Sequence, residues 1–222
     1  MKNHFLLYLT VVLISCSNDI DYTHTYTATN LEKGSIQLFT RNGEIINSSQ
    51  INNFVSLHKS TLSVMYGNVD EMMLITPAEV KFLSTTEAQF IFVNNTAVNV
   101  VNQNNAIYLE SKDTFDTKLR YYGYPSLELS IYNAMLSFSE LYRDTFLVNS
   151  ANDTYGIRFK QCFYLTKSGN KLKMPFLNYW YFQPYSTQSG GSINNTFNNN
   201  CIDMMGDKDT LAIQQFQVVF KK

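Results

Sequence analysis

Histidine is scarce in this sequence, three residues in 222, and that scarcity limits the chemistry available. Only His24 and His58 lie beyond the N-terminal apolar run. There is no HExxH, no CxxC, no GxxxxGK[ST] loop and no GxGxxG turn, so the signatures of zinc hydrolases, redox thiols and nucleotide sites are missing. A serine or cysteine nucleophile would have to recruit His58. That residue stands beside Lys59 at the end of an expected helix, where a solvated or dipole-satisfying histidine is the ordinary state. Carboxylates can run glycosidase-type chemistry without histidine. The pairs on offer are Asp113 with Asp116 and Glu128 with Glu140, and no spacing brings either to one cleft. The expectation is a protein without catalysis and without a cofactor.

Charge of one sign is also lacking. Lys and Arg total 17 against 18 Asp and Glu, a formal net charge of −1. With no Lys/Arg-rich run, the basic footprint needed for nucleic acid is absent. Hydrophobic residues reach 45% and aromatics 14%, which excludes a disordered chain and provides for a substantial core. The segment CIDMMGDKDT places Asp203, Asp207 and Asp209 around Gly206, a composition that suits Ca²⁺. Its spacing is not that of an EF-hand loop. A polar turn entering the last strand is expected there, and no metal.

Long apolar runs are missing as well. The one N-terminal stretch, Phe5 to Ile14, is too short for a bilayer core, which needs about 20 apolar residues. Preceded by Lys2, it has the form of a cleavable signal. The run ends Leu13-Ile14-Ser15-Cys16 and opens into polar residues. This resembles the lipobox of bacterial lipoproteins, in which a branched apolar pair and a small residue precede an acylated cysteine. The resemblance implies lipid attachment at Cys16 and anchoring to a membrane. Ser17, where aspartate often marks inner-membrane retention in such proteins, implies the outer membrane. Asp19 and Asp21 resemble, loosely, the acidic export tags of Bacteroidota-type lipoproteins.

The organisation that follows is a signal peptide over 1–15, a tether over 16–32 and one β-rich domain over 33–222. Cys162 and Cys201 remain after Cys16 is assigned to the anchor, an even count that permits one disulfide in an exported protein. GIRFKQCFYLT alternates so that Phe159, Phe163 and Leu165 share a face, leaving Cys162 on the other beside Arg158 and Lys160.

SIQLFT reads as a strand, followed by an Asn42-Gly43 turn signal. INSSQINNFVSLHKS is the clearest helix: Asn47 or a following serine can cap it, with Gln50 at the capping-box position. Ile51, Phe54, Val55 and His58 have helical spacing. The period then changes to two. TLSVMY, EMMLIT, EVKFLS, AQFIFV, AVNVV and AIYLE are short apolar-rich runs separated by asparagine-rich turns, as in an antiparallel meander. Residues 111–126 read as a connection, and 127–142 fit strand and helix about equally. KLKMPFLNYWYFQ and DTLAIQQFQVVF resume the strand signal, with STQSGGSINNTFNNN as a loop between them.

The expected fold is mainly β, a meander closing into a lipocalin-like barrel or a two-sheet sandwich with one short helix, since closure removes exposed edges. LNYWYFQPY concentrates rings. Trp180 and Phe182 share a face with Phe176, while Tyr179 and Tyr181 occupy the other. With Tyr185, these tyrosines are the candidate contact for a sugar or flat apolar ligand. The functional expectation is therefore a lipid-anchored envelope protein that binds a small apolar molecule or glycan. The alternative is a structural or protein-interaction module of the outer membrane, contacting another envelope protein.

Overall fold

The computed structural model describes residues 20–60, 62, 77–92, 95–103, 105–120, 131, 134–135, 137, 143–149, 154–160, 162–184 and 189–222; side chains of 115–120, 143–149, 154–159 and 189 are not described. The chain runs through β1 (Thr25–Thr40), β2 (Gly43–Ile45), α1 (Ser48–Leu57), β3 (Glu79–Phe82), β4 (Glu87–Ile91), β5 (Asn95–Gln103) and β6 (Ala106–Ser111). It continues with β7 (Phe115–Arg120), β8 (Arg143–Asn149), β9 (Thr154–Phe159), β10 (Cys162–Ser168), β11 (Lys171–Phe182) and β12 (Ser189–Ile193). A 3-10 turn (Asn199–Met204) precedes β13 (Thr210–Lys221).

Eight strands close an antiparallel barrel in the order β10-β6-β5-β4-β3-β1-β13-β11, and β10 completes the circle by pairing with β11. The barrel of the sequence expectation is thus the fold. Strands β1, β11 and β13 are much longer than the others, 16, 12 and 12 residues, and run past one end of the barrel. There β2 pairs with β1 and β12 pairs with β11, widening the extension.

Period-two alternation gives these long strands two buried faces. On one face Phe216, Val218 and Phe220 of β13, with Leu172, Met174 and Phe176 of β11, line the barrel core. The same parity continues past the barrel to Ala212 and Trp180, which lie under α1. Strand β1 stays in step through register shifts at Ala28/Asn30 and Lys33/Ile36, so Tyr26, Ala28 and Leu38 all serve this face. On the opposite face Leu177, Tyr181, Leu211, Ile213 and Phe39 meet Ile131, Met135, Cys201 and Met205 in a separate core. An eight-stranded barrel is just wide enough for side chains to fill, and its inward residues form one continuous buried cluster with Tyr26, Phe90 and Phe220 among the largest.

Helix α1 forms as the sequence predicts. Asn47 adopts extended backbone and its Oδ1 accepts from the Gln50 amide at 3.1 Å, satisfying one of the orphan donors of the first turn. Ile51, Phe54 and Val55 pack toward Trp180, yet no residue of α1 is fully buried. His58 ends the helix with its ring 4.9 Å from that of Trp180 and 5.3 Å from Phe182. The indole Nε1 of Trp180 and Asn178 Oδ1 are buried without a hydrogen-bond partner; the apolar and ring contacts around the indole offset that cost of about 1–3 kcal/mol each.

Several expectations require correction. Within the stretch assigned to the tether, Ile20 is buried in the barrel core, and β1 begins at Thr25. Tyr26 and Ala28 alternate inward there, and pairing to β3 and β13 fixes a strand that looks polar in isolation. GIRFKQCFYLT is not one strand: it divides at 160–161 into β9 and β10, which belong to different sheets. Residues 111–126 contain β7, which joins β9 and β8 in a three-stranded sheet. The STQSGGSINNTFNNN loop contains β12, held by backbone pairing to Leu177–Tyr181. TLSVMY and EMMLIT lie outside the described residues except for Leu62, which is helical and buried against the Trp180 cluster. Of 127–142, Ile131 and Met135 form a helical turn, Met135 N donating to Ile131 O at 3.0 Å.

Candidate functional site

The site expected from the sequence was the tyrosine row of β11. Tyr181 is 2% exposed, and its hydroxyl donates to Asp209 Oδ2, which also accepts from the Gly206 amide at 2.8 Å. This phenol is a core group, not a platform for a ligand. Tyr179 is half-buried over Gly191, the residue paired with it on β12. Tyr185 lies outside the described residues. The expected ligand contact therefore fails for Tyr181, because Ile131, Ala134, Met135, Cys201, Ile202 and Met205 cover the face it shares with Tyr179.

The other singled-out groups are likewise structural. Asp209 closes the turn before β13, its amide donating to Gly206 O at 3.1 Å, and Asp207 pairs with Arg41 at 3.0 Å. No cluster of three or more metal-ligating side chains occurs among the described residues. Asp113 is exposed on a loop; the side chain of Asp116, and Glu128 and Glu140 altogether, lie outside the described residues. His24 Nδ1 lies 2.7 Å from Asp21 Oδ2. The disulfide expectation is corrected too: Cys162 and Cys201 are free thiols. Cys201 sits inside the core of the extension, while Cys162 begins β10 opposite Glu110 of β6. Burial pushes both thiols up to about 11, helped at Cys162 by the Glu110 carboxylate.

What the sequence did not single out is a trough on the outer face of β1 and β13. It begins with Asn194, whose carboxamide stands where β10 and β11 separate. Its Oδ1 accepts from the Tyr164 amide at 2.6 Å, and its Nδ2 donates to the carbonyls of Tyr164 and Pro175 at 3.2 and 2.7 Å. The side chain thus takes the place of a peptide group in the ladder. Next, buried Asn195 accepts from the amides of Thr196 and Ser137 at 2.9 and 3.0 Å. Asn198 caps the 3-10 turn through the Asn200 amide at 3.1 Å. The asparagine-rich segment is therefore a fixed wall, built by side chains replacing backbone partners.

Between this wall and β1 lie two adjoining hollows of about 320 and 390 Å³, with Gln215 lining both. Gln217, Thr196 and Glu32–Gly34 of β1, whose register shifts after Lys33, line the first; Gln37, Ser137 and Asn198 line the second. Gln215 Oε1 accepts from the Phe197 amide at 3.2 Å. Phe197 packs against Phe39, ring centroids 4.8 Å apart, as an apolar side of the second hollow. At the rim Glu32 pairs with Lys173 at 2.7 Å, and Glu44 accepts from the Gln37 side-chain Nε2 at 3.1 Å. Gly34 makes the approach possible, since a Cβ there would lie 2.9 Å from the Gln215 backbone carbonyl oxygen. The result is a solvent-open trough rich in carboxamides. Each carboxamide carries two donors and a carbonyl acceptor, and the set can hydrogen-bond a neutral, hydroxyl-rich molecule. The glutamines were legible only as the polar positions of an alternating strand; nothing local shows that a wall from residues 194–199 rises beside them.

In comparison with known proteins, the chain matches no family model, no curated protein and no solved structure.

Proposed function

We propose that this is a lipid-anchored protein of the bacterial outer membrane that binds a glycan without catalysis, through the trough centred on Gln215. The observation that carries the binding part is the convergence of Gln37, Gln215, Gln217 and Asn198 on one open trough beside the Phe39–Phe197 pair. Amide donors and acceptors flanked by rings suit a sugar's alternating hydroxyls and C–H faces. The continuous side-chain cluster in the barrel weighs against a small apolar molecule held inside it. The anchor part rests on the Leu13-Ile14-Ser15-Cys16 resemblance.

The two parts have separate tests. Fatty-acid labelling of the expressed chain should be abolished by Cys16→Ser; label retained in that variant would remove the anchor. A panel of envelope glycans should yield a binder whose affinity falls in Gln217→Ala while the melting temperature holds; Gln215→Ala should weaken it too, with some loss of stability from the Phe197 amide it leaves unpaired. A panel without any binder would favour the alternative, a protein-interaction module. One observation speaks for that second role: Ile46, just before α1, and Leu57, its last residue, are 88% and 71% exposed, a start of an apolar contact surface for another envelope protein.

A further inference from the structure

The barrel has one end at which the chain enters it. Ile20 is already in the barrel core, and the Tyr22 hydroxyl donates to Asn102 Oδ1. Asp21 holds the amide of Thr23 at 3.0 Å and Lys222 at 2.9 Å, closing the start of β1 against the end of β13. Strand register shows what else gathers there. Lys81 lies across from Thr25, Lys221 from Thr27 and Lys167 from Leu172, and Lys171 opens β11.

None of Lys81, Lys167, Lys171 and Lys221 has an acidic partner among the described residues. The acids nearby are Asp21, engaged by Lys222, Glu87, engaged by Lys112 across from Leu83, and Glu79, level with Lys221 across Thr27 of β1. Leu83, in the β3–β4 turn at this end, is 54% exposed. The end where the chain enters is therefore a cationic surface with an exposed leucine.

Only three residues, Ser17 to Asp19, separate Cys16 from Ile20, and the four residue steps between them, fully extended, span at most about 14 Å. We infer that this end of the barrel docks on an anionic, phosphate-bearing lipid surface, the lysines meeting headgroups and Leu83 entering the interface. The inference rests on the lipid anchor proposed above. Lysines near such a surface are attracted to it, and the acyl anchor would hold this end within reach of it. Docking would leave α1 and the Gln37–Asn198 hollow, on the extension beyond the other end, facing away from the membrane.

The test is lysine acetylation followed by mass spectrometry, on the full lipidated chain in phosphatidylcholine vesicles with and without phosphatidylglycerol. Lys59 and Lys208, both exposed and near the extension, serve as references. With phosphatidylglycerol present, Lys81, Lys171 and Lys221 should be acetylated about fivefold more slowly than without it, while the references stay unchanged. High salt should remove the difference. A labelled, vesicle-bound chain in which both sets react alike overturns the docking and leaves the anchor standing. A chain that takes no fatty-acid label overturns both.

Discussion

Trp180 and Tyr181, neighbours on β11, point to opposite faces of one sheet and are both buried, at 0% and 2% exposure. Trp180 belongs to the cluster under α1, and Tyr181 to the cluster with Cys201 and Met205. The long strands are thus the middle layer of a sandwich beyond the barrel, and neither Trp180 nor Tyr181 is free for a ligand.

It follows that Trp180→Ala and Tyr181→Ala should destabilise the chain to a similar degree, about 3–5 kcal/mol each. Tyr181→Phe isolates the hydroxyl: it leaves Asp209 with fewer donors in a buried site and should cost about 1–3 kcal/mol. Chemical denaturation of the three variants checks this. A Tyr181→Ala variant as stable as wild type would mean that its face is not core.

The clamp at the start of β1 predicts a pH dependence. The carboxyl of Asp21 is held far below the usual carboxylate range, chiefly by the Thr23 hydroxyl and then by Lys222; Lys222 is raised, chiefly by Asp21. A lowered acid contributes stability that is complete above its unfolded value near 4 and fades as pH falls toward the folded one. Asp21→Asn should therefore be less stable than wild type at neutral pH, and the difference should shrink progressively below about pH 4. Urea midpoints across that range decide it; an equal difference at all pH values would show that the charge of Asp21 is immaterial.

The thiols give a third prediction. With both pushed up to about 11, chiefly by burial, Cys162 and Cys201 should alkylate slowly in the folded chain near pH 8. Both should react fully once it is unfolded without reductant. Mass spectrometry after iodoacetamide reads the result. A chain that shows neither thiol until reduced would restore the disulfide expected from the even count.

Gly34 offers a fourth. Its missing Cβ would meet the Gln215 carbonyl at 2.9 Å, whereas one at Gly191 would meet only the Tyr179 ring, at 3.7 Å. Gly34→Ala must force β1 from β13 and disturb the 3.0 Å bond from Gln214 Nε2 to Gly34 O. A cost of about 1–3 kcal/mol is expected, against little for Gly191→Ala. Equal midpoints for the two variants would contradict the close approach.

Local pattern revealed much of the fold and little of the site. Leu211 to Phe220 alternate visibly, and Asn47 with Gln50 marks the helix start, because both signals are written within a few residues. The short meander strands from Glu79 to Ser111 were legible for the same reason. Strand β12 was not: Gly190 and Gly191 have no strand preference, and only backbone pairing to Tyr179 and Trp180 fixes them. Tyr26 and Ala28 carry the right alternation, but among threonines it reads as a polar tether. The error at Tyr181 has a different origin. Alternation assigned its face correctly, but the cover comes from Ile131, Met135, Cys201 and Met205, distant in the chain. The trough at Gln215 was hidden likewise, since Asn194 and Asn195 shape its wall through side-chain bonds that no periodicity reports.

The central claim is that the Gln215 trough is where a glycan binds. Its most direct test is the NMR response of glutamine and asparagine side-chain amides when the panel glycans are titrated into the full chain. The account predicts that shifts concentrate on Gln37, Gln215, Gln217 and Asn198, and that Asn170, in the turn beside β11 at the far end of the barrel, stays still. Shifts confined to α1 or to that far end, or no shift with any glycan, would contradict it.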